Sequence, residues 1–147
     1  MPYTDRDDVR KLLGVDPVSK TGYFSFEDDK LHDAFVTSHD WHLANERNLG
    51  LLLERGIRVL IYVGEKDYIC NHLGNHAMVK EIDWARKGEF EQEKLYKWRV
   101  NGKVAGETQH GGGLTWATIA DAGHMSPYEK PAEAQAMFHR WLDAEPF

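Results

Sequence analysis

The stretch Ile57–Cys70, IRVLIYVGEKDYIC, limits what this chain can fold into more than any other. Five of the seven residues Ile57–Val63 are aliphatic, and Gly64 follows at once. A short apolar run closed by glycine reads as a parallel strand covered on both faces, because a strand that is wet on one side alternates apolar with polar. Such a strand asks for neighbours on both edges and helices on both faces, so the fold class is α/β. Just beyond its carboxyl end come a carboxylate, Asp67, and the chain's only cysteine, Cys70. In open α/β sheets, ligands and reactive groups collect at that edge. An acid held there suits the third member of a nucleophile–histidine–aspartate relay, in which a fixed carboxylate accepts a hydrogen bond from an imidazole. Taken alone, an aspartate after a strand more often caps the next helix.

Length and charge narrow the classes further. At 147 residues the chain is one domain's worth, with no sign of a separate second domain. Eighteen basic against 24 acidic residues give a net charge of −6 with no basic run, which argues against a nucleic-acid partner. A single cysteine excludes an intrachain disulfide and a cysteine-rich zinc site. No apolar run approaches membrane-spanning length, so no membrane partner is expected. The charged opening MPYTDRDDVR lacks the apolar core of a signal peptide. No motif calls for a cofactor.

Along the chain, Thr4 is placed to cap a short helix with Val9, Leu12 and Leu13 inward, stopped by Gly14. Asp16-Pro17 to Ser25 reads as loop. Helix is expected from about Asp29 to Arg55, interrupted near Ser38–Asp40, with Leu31, Phe35, Leu43, Leu49, Leu52 and Leu53 as core candidates. After Cys70 a helix with Leu73, Ala77, Met78 and Ile82 on one side is expected, then a polar connection over Lys87–Lys94. LYKWRV and KVAGETQH, joined by Asn101-Gly102, read as a hairpin. Gly111–Gly113 turns into the strand LTWATIA. Pro131 opens a last helix with Ala134, Met137, Phe138 and Trp141 inward.

His124 stands on the loop leaving that last strand, between Gly123 and Met125. It follows Asp67 by one helix, one hairpin and one strand. If the two strands are neighbours, their carboxyl-end loops bring the two side chains together. Acid before histidine is the order of α/β-hydrolases. Most single loop histidines merely face solvent, so the weight lies on the joint pattern.

That pattern carries a resemblance. VLIYVGEKDYICNHLGN, KVAGE and DAGHMSPYEKPAEA–MFHRWL resemble the C-terminal portion of serine carboxypeptidases of the carboxypeptidase Y type. In that family a strand leads into G-D-x-D-x-I-C-N-x-x-G, and G-A-G-H-M-V-P later precedes a helix opened by proline. The likeness extends upstream through Pro2–Leu12 and the helix ending His39-Asp40-Trp41-His42, and so covers essentially the whole chain. It implies the late strands and flanking helices of an α/β-hydrolase sheet. It places Asp67 and His124 on the family's catalytic acid and base, and Cys70 and Met125 on residues lining the pocket for the substrate's C-terminal residue. Read without the resemblance, Cys70 suits a small buried hydrophobe and Met125 a core gap-filler. The implied reaction is release of a C-terminal amino acid from a peptide, in a secreted or vacuolar/lysosomal compartment. The implied partners are peptide C-termini and the serine-bearing part of the enzyme, with self-association as the alternative.

Several features depart from the family or tempt without support. Glu65 stands where aspartate is usual, Asp121 where a small residue is common, and Ser126 where valine is usual. The neighbourhood FSFEDD lacks a cysteine that the family often carries. No G-x-S-x-G is present, so the nucleophile is expected on sequence preceding Met1 and the chain alone is expected to be inactive; a truncated, non-catalytic binding module is the alternative reading. His110-Gly-Gly-Gly113 has the letters of an oxyanion loop but lies between acid and base, and reads as an inter-strand turn. His72 and His76, four apart, read as an exposed helix face, and no metal ligand set is assigned.

Overall fold

The computed structural model describes residues 2–25, 28–40, 43 and 45–147, in two compact units, Met1–Leu43 and Ala44–Phe147. Phe26, Glu27, Trp41 and His42, which fall within the FSFEDD and HDWH stretches, lie outside the described residues.

In the first unit a 3₁₀ turn at Tyr3–Asp5 leads into helix α1 (Asp7–Leu12), followed by α2 (Val18–Thr21) and α3 (Asp29–Thr37). Arg6, not Thr4, occupies the N-cap of α1, because the 3₁₀ turn already uses Thr4. Gly14 ends the α1 segment at φ +68°, a backbone that glycine adopts without steric cost. Val9 is buried, but Leu12 and Leu13 are exposed. The unit is organised by an ion pair that apolar periodicity does not register. Arg10 Nη1 donates to Asp5 Oδ1 at 2.7 Å, and both side chains are buried. Arg10 also donates to Asp16 O and Thr21 Oγ1, and Phe24 N donates to the same Asp5 oxygen. The stretch expected as loop after Asp16 thus forms α2, held by these bonds. Asp28 caps α3, accepting from Leu31 N at 3.0 Å. Leu31 and Phe35 on α3, and Leu43 beyond it, are exposed rather than core.

The second unit is a four-stranded mixed sheet with helices on both faces. Its elements are α4 (Glu46–Glu54), β1 (Val59–Gly64), α5 (His72–Glu81), α6 (Lys87–Gln92), β2 (Tyr96–Val100), β3 (Lys103–Gly111), β4 (Leu114–Ile119), α7 (Ser126–Glu129) and α8 (Pro131–Asp143). The strand order is β1-β4-β3-β2, with β1 parallel to β4 and the other pairs antiparallel. Asn101 (φ +50°) and Gly102 (φ +78°) make the expected tight turn between β2 and β3. Gly112 and Gly113 turn β3 into β4, as the inter-strand reading of His110–Gly113 requires.

Period-two alternation builds one core on each face of the sheet. Leu114 and Trp116 join Val59, Val63, Leu53, Val79, Ile82, Trp84 and Phe90 on the face toward α4, α5 and α6. Ala117 and Ile119 join Trp98, Ala105, Ala122, Ala134 and Met137 toward α8. All six residues of β4 are buried. Residues 87–92, expected as a polar connection, form α6, because Phe90 inserts fully into the first core beside Trp84. The inward face of α5 also differs from expectation. Leu73 and Ala77 point outward, while Val79 is buried and His76 lies against Trp116, ring centroids 4.3 Å apart. Gln109 donates its amide to Phe90 O and Glu93 O, so its Oε1 is left to accept from His76 Nε2 at 2.8 Å. His76 is therefore packed rather than exposed, and His72 is half-buried. Of the remaining core candidates, Leu53 is buried, Leu49 packs at the core's margin, Leu52 is exposed, and Phe138 on α8 is half exposed.

Candidate active site

Asp67 and His124 meet because β1 and β4 are parallel neighbours in matched register, Gly64 opposite Ile119. Both strands end at the same edge, and the loops leaving them are joined. Glu65 N donates to Ile119 O at 3.1 Å and Lys66 N to Ala122 O at 2.8 Å. Thr118 Oγ1 donates to Glu65 Oε1 at 3.0 Å, and Lys66 pairs with Asp121 at 2.7 Å. Gly64 is required at this seam, since a Cβ there would collide with the carbonyl oxygens of Ala122 and Gly123. Asp121, standing where the resembled family has a small residue, adopts φ +59°, a conformation that aspartate tolerates better than most residues. On the far side, Gly123 N donates to Glu129 Oε2 at 2.8 Å, tying the histidine loop to α7.

Within this frame His124 Nδ1 lies 2.8 Å from Asp67 Oδ2. The other carboxylate oxygen of Asp67 accepts from Cys70 N at 3.0 Å, so the acid closes its own turn and still faces the imidazole. The cap-like role and the histidine contact are thus filled together, one oxygen each. The Asp67 side chain is 6% exposed and the His124 side chain 63%. The Cys70 amide, and next the His124 ring, hold the Asp67 carboxyl below the ordinary carboxylate range, against the opposing effect of burial. An ionised acid beside Nδ1 fixes the proton on that nitrogen and leaves Nε2 as the basic atom on an exposed ring. Such a pair can orient an imidazole, take a proton from a neighbouring hydroxyl and return it.

Cys70 and Met125 sit beside the pair but are exposed, so neither is the buried residue that size and polarity alone suggested. Tyr68, Ile69 and Leu73 are exposed at the same end. One cleft, of about 370 Å³, lies at the opposite end of the sheet from the pair, at the amino ends of β1 and β4, lined among others by Arg58, Leu114 and Trp141. The sequence marked Glu65 and Asp121 only as departures from the family pattern, and did not single out Lys66 or Glu129, the other two supports. Their bonds run between loops, and charged loop residues give no periodic signal.

Residues 1–144 match the family model for serine carboxypeptidases. The chain belongs to the serine carboxypeptidase family. Carboxypeptidase Y of Komagataella phaffii is 38% identical over 143 residues, 97% of this chain and 27% of that protein. A vacuolar serine-type carboxypeptidase of Saccharomyces cerevisiae is 34% identical over 95% of this chain and 27% of its own length. The crystal structure of Kex1Δp, a prohormone-processing carboxypeptidase from Saccharomyces cerevisiae, matches with a TM-score of 0.58 and 24% identity, over 65% of this chain and 22% of that one. The fold is accordingly that of part of an α/β-hydrolase. The chain spans about a quarter of the length of these family members. Among the described residues, no helix is long and apolar enough to cross a membrane.

Proposed function

We propose that this chain supplies the acid and the base of a serine carboxypeptidase, Asp67 and His124, to a serine borne on another segment. The observation that carries the reading is the 2.8 Å contact between Asp67 Oδ2 and His124 Nδ1, made by an acid anchored through its second oxygen. His124 takes the serine proton as the hydroxyl attacks the carbonyl of the last peptide bond, then gives it to the departing amino acid. Asp67 holds the ring in the tautomer this needs and stabilises the imidazolium that forms. Cys70 and Met125, beside the pair, line the site of the substrate's C-terminal residue once the remaining wall is present. The setting is a vacuolar, lysosomal or secreted one; the name of the Saccharomyces cerevisiae relative says vacuolar of that protein.

The partner is the serine-bearing part of the enzyme, and it docks along β1. Among the described residues β1 pairs with β4 alone, so one row of its backbone groups is open. Tyr62 on β1 and Phe138 on α8 are exposed and line one groove. The chain by itself carries no nucleophile elbow and is inactive. An active-site-directed phosphonate, which needs a serine, tests this. No labelling of the purified chain is expected. Labelling, or hydrolysis of a blocked dipeptide that His124→Ala abolishes, overturns the division of labour.

A further inference from the structure

A third group stands beside the acid and the base. Cys70 is the residue whose backbone amide anchors Asp67, and its own side chain is exposed. One ligand atom each from Asp67, Cys70 and His124 lie within 4.8 Å of one another. We propose that these three residues form a binding site for a thiophilic divalent cation, Zn²⁺ above all, which locks the imidazole in the wrong tautomer when it binds. Binding rests on the three residues alone; that it silences a catalyst rests on the acid–base reading above.

The donor set selects the ion. One thiolate, one imidazole nitrogen and one carboxylate oxygen match zinc, whereas Mg²⁺ and Ca²⁺ take oxygen ligands. Thiolate and carboxylate together neutralise the dication. Ligands on a tetrahedral zinc at about 2.0–2.3 Å stand roughly 3.3–3.7 Å apart. The 2.8 Å between Nδ1 and Oδ2 opens to that span by a small rotation of the exposed ring, and the exposed Cys70 side chain turns inward to complete the set. Three protein ligands leave the fourth position to water.

The proton balance gives the consequence. The Cys70 thiol loses its proton to solvent as sulfur binds. Oδ2 of Asp67 faces Nδ1, so a cation shared between the two side chains takes Nδ1. The proton on Nδ1 leaves and Nε2 carries the ring proton instead. A neutral ring with Nε2–H donates where the reaction needs it to accept, so it takes no proton from a serine. The bound ion therefore acts as an inhibitor of the pair, not as a cofactor.

The test uses the purified chain and reads no turnover. Co²⁺, the spectroscopic stand-in for zinc, should give tetrahedral ligand-field bands with a thiolate charge-transfer band, displaced by Zn²⁺. Cys70→Ser should remove the charge-transfer band and weaken Zn²⁺ binding by at least about tenfold, the least that loss of even a second-shell partner costs at metal sites. His72→Gln should change neither, which separates the site from the His72–His76 pair. Nitrogen NMR of His124 should show Nδ1–H without zinc and Nε2–H with it. A cobalt spectrum without a thiolate band, unchanged affinity in Cys70→Ser, binding lost in His72→Gln, or an unmoved His124 tautomer each overturns the proposal. Failure of the acid–base reading would appear in turnover, which none of these measurements touches.

Discussion

Asp67 does two things with two oxygens, and both favour its ionised form. Its folded value lies below the ordinary one, so the stability it contributes is fully present above about pH 4. That stability is lost as the pH falls through the lowered value. Asp67→Asn removes the titrating group, so its thermal midpoint should fall less than the wild type's between neutral pH and the acid range. Parallel curves would mean that the carboxylate is not held as described. A second residue-scale test concerns the first unit. Asp5→Ala leaves the Arg10 guanidinium buried without its carboxylate, a loss of about 3–5 kcal/mol by analogy with broken buried pairs. Hydrogen exchange at the Phe24 amide, which donates to Asp5, should accelerate sharply. Unchanged protection there would remove the pair from its organising position. Asp67 and His124 were legible as residues because their order and flanking letters are shared with a family. The Asp5–Arg10 pair was not, since a buried ion pair has no periodicity.

At the scale of elements, the geometry of the pair depends on how closely β1 and β4 end together. Gly64→Ala places a methyl group against the Ala122 and Gly123 carbonyls and should part the two loops without altering either reacting residue. The downfield signal of the hydrogen-bonded His124 Nδ1 proton should broaden or vanish in that variant. Its persistence would show that the seam is more compliant than its packing implies. Turn chemistry made the β2–β3 hairpin readable from Asn101-Gly102. The helices were less so. Phe90 inserts from a segment of charged residues, and His76 rather than Leu73 faces the core, because stacking on Trp116 and the Gln109 bond satisfy an imidazole there. Periodicity names a face that can be buried, whereas the neighbour decides which one is.

At the scale of the whole molecule, the most apolar strand in sequence is not the most buried in the fold. β4 has strands on both edges and every residue covered, while among the described residues β1 pairs on one edge alone and leaves Tyr62 exposed. Leu31, Phe35, Leu51 and Leu73 are exposed as well. Apolar side chains and an open strand edge promote association. Light scattering over a concentration series should therefore show growth in mass, with binding of a hydrophobic dye. A sharp monomer that unfolds cooperatively and ignores the dye would mean that this surface needs no partner. The central claim, that Asp67 and His124 act together on a serine carried elsewhere, is tested most directly by turnover in a chimera. In it this chain replaces the segment of the Komagataella phaffii carboxypeptidase Y that it matches. The account predicts hydrolysis of a blocked dipeptide and a fall of about 10⁴ in turnover on Asp67→Asn, the guide set by a serine-protease triad. A chimera whose turnover falls less than about tenfold in that variant would contradict it, reducing Asp67 to a turn-closing residue beside an unrelated histidine.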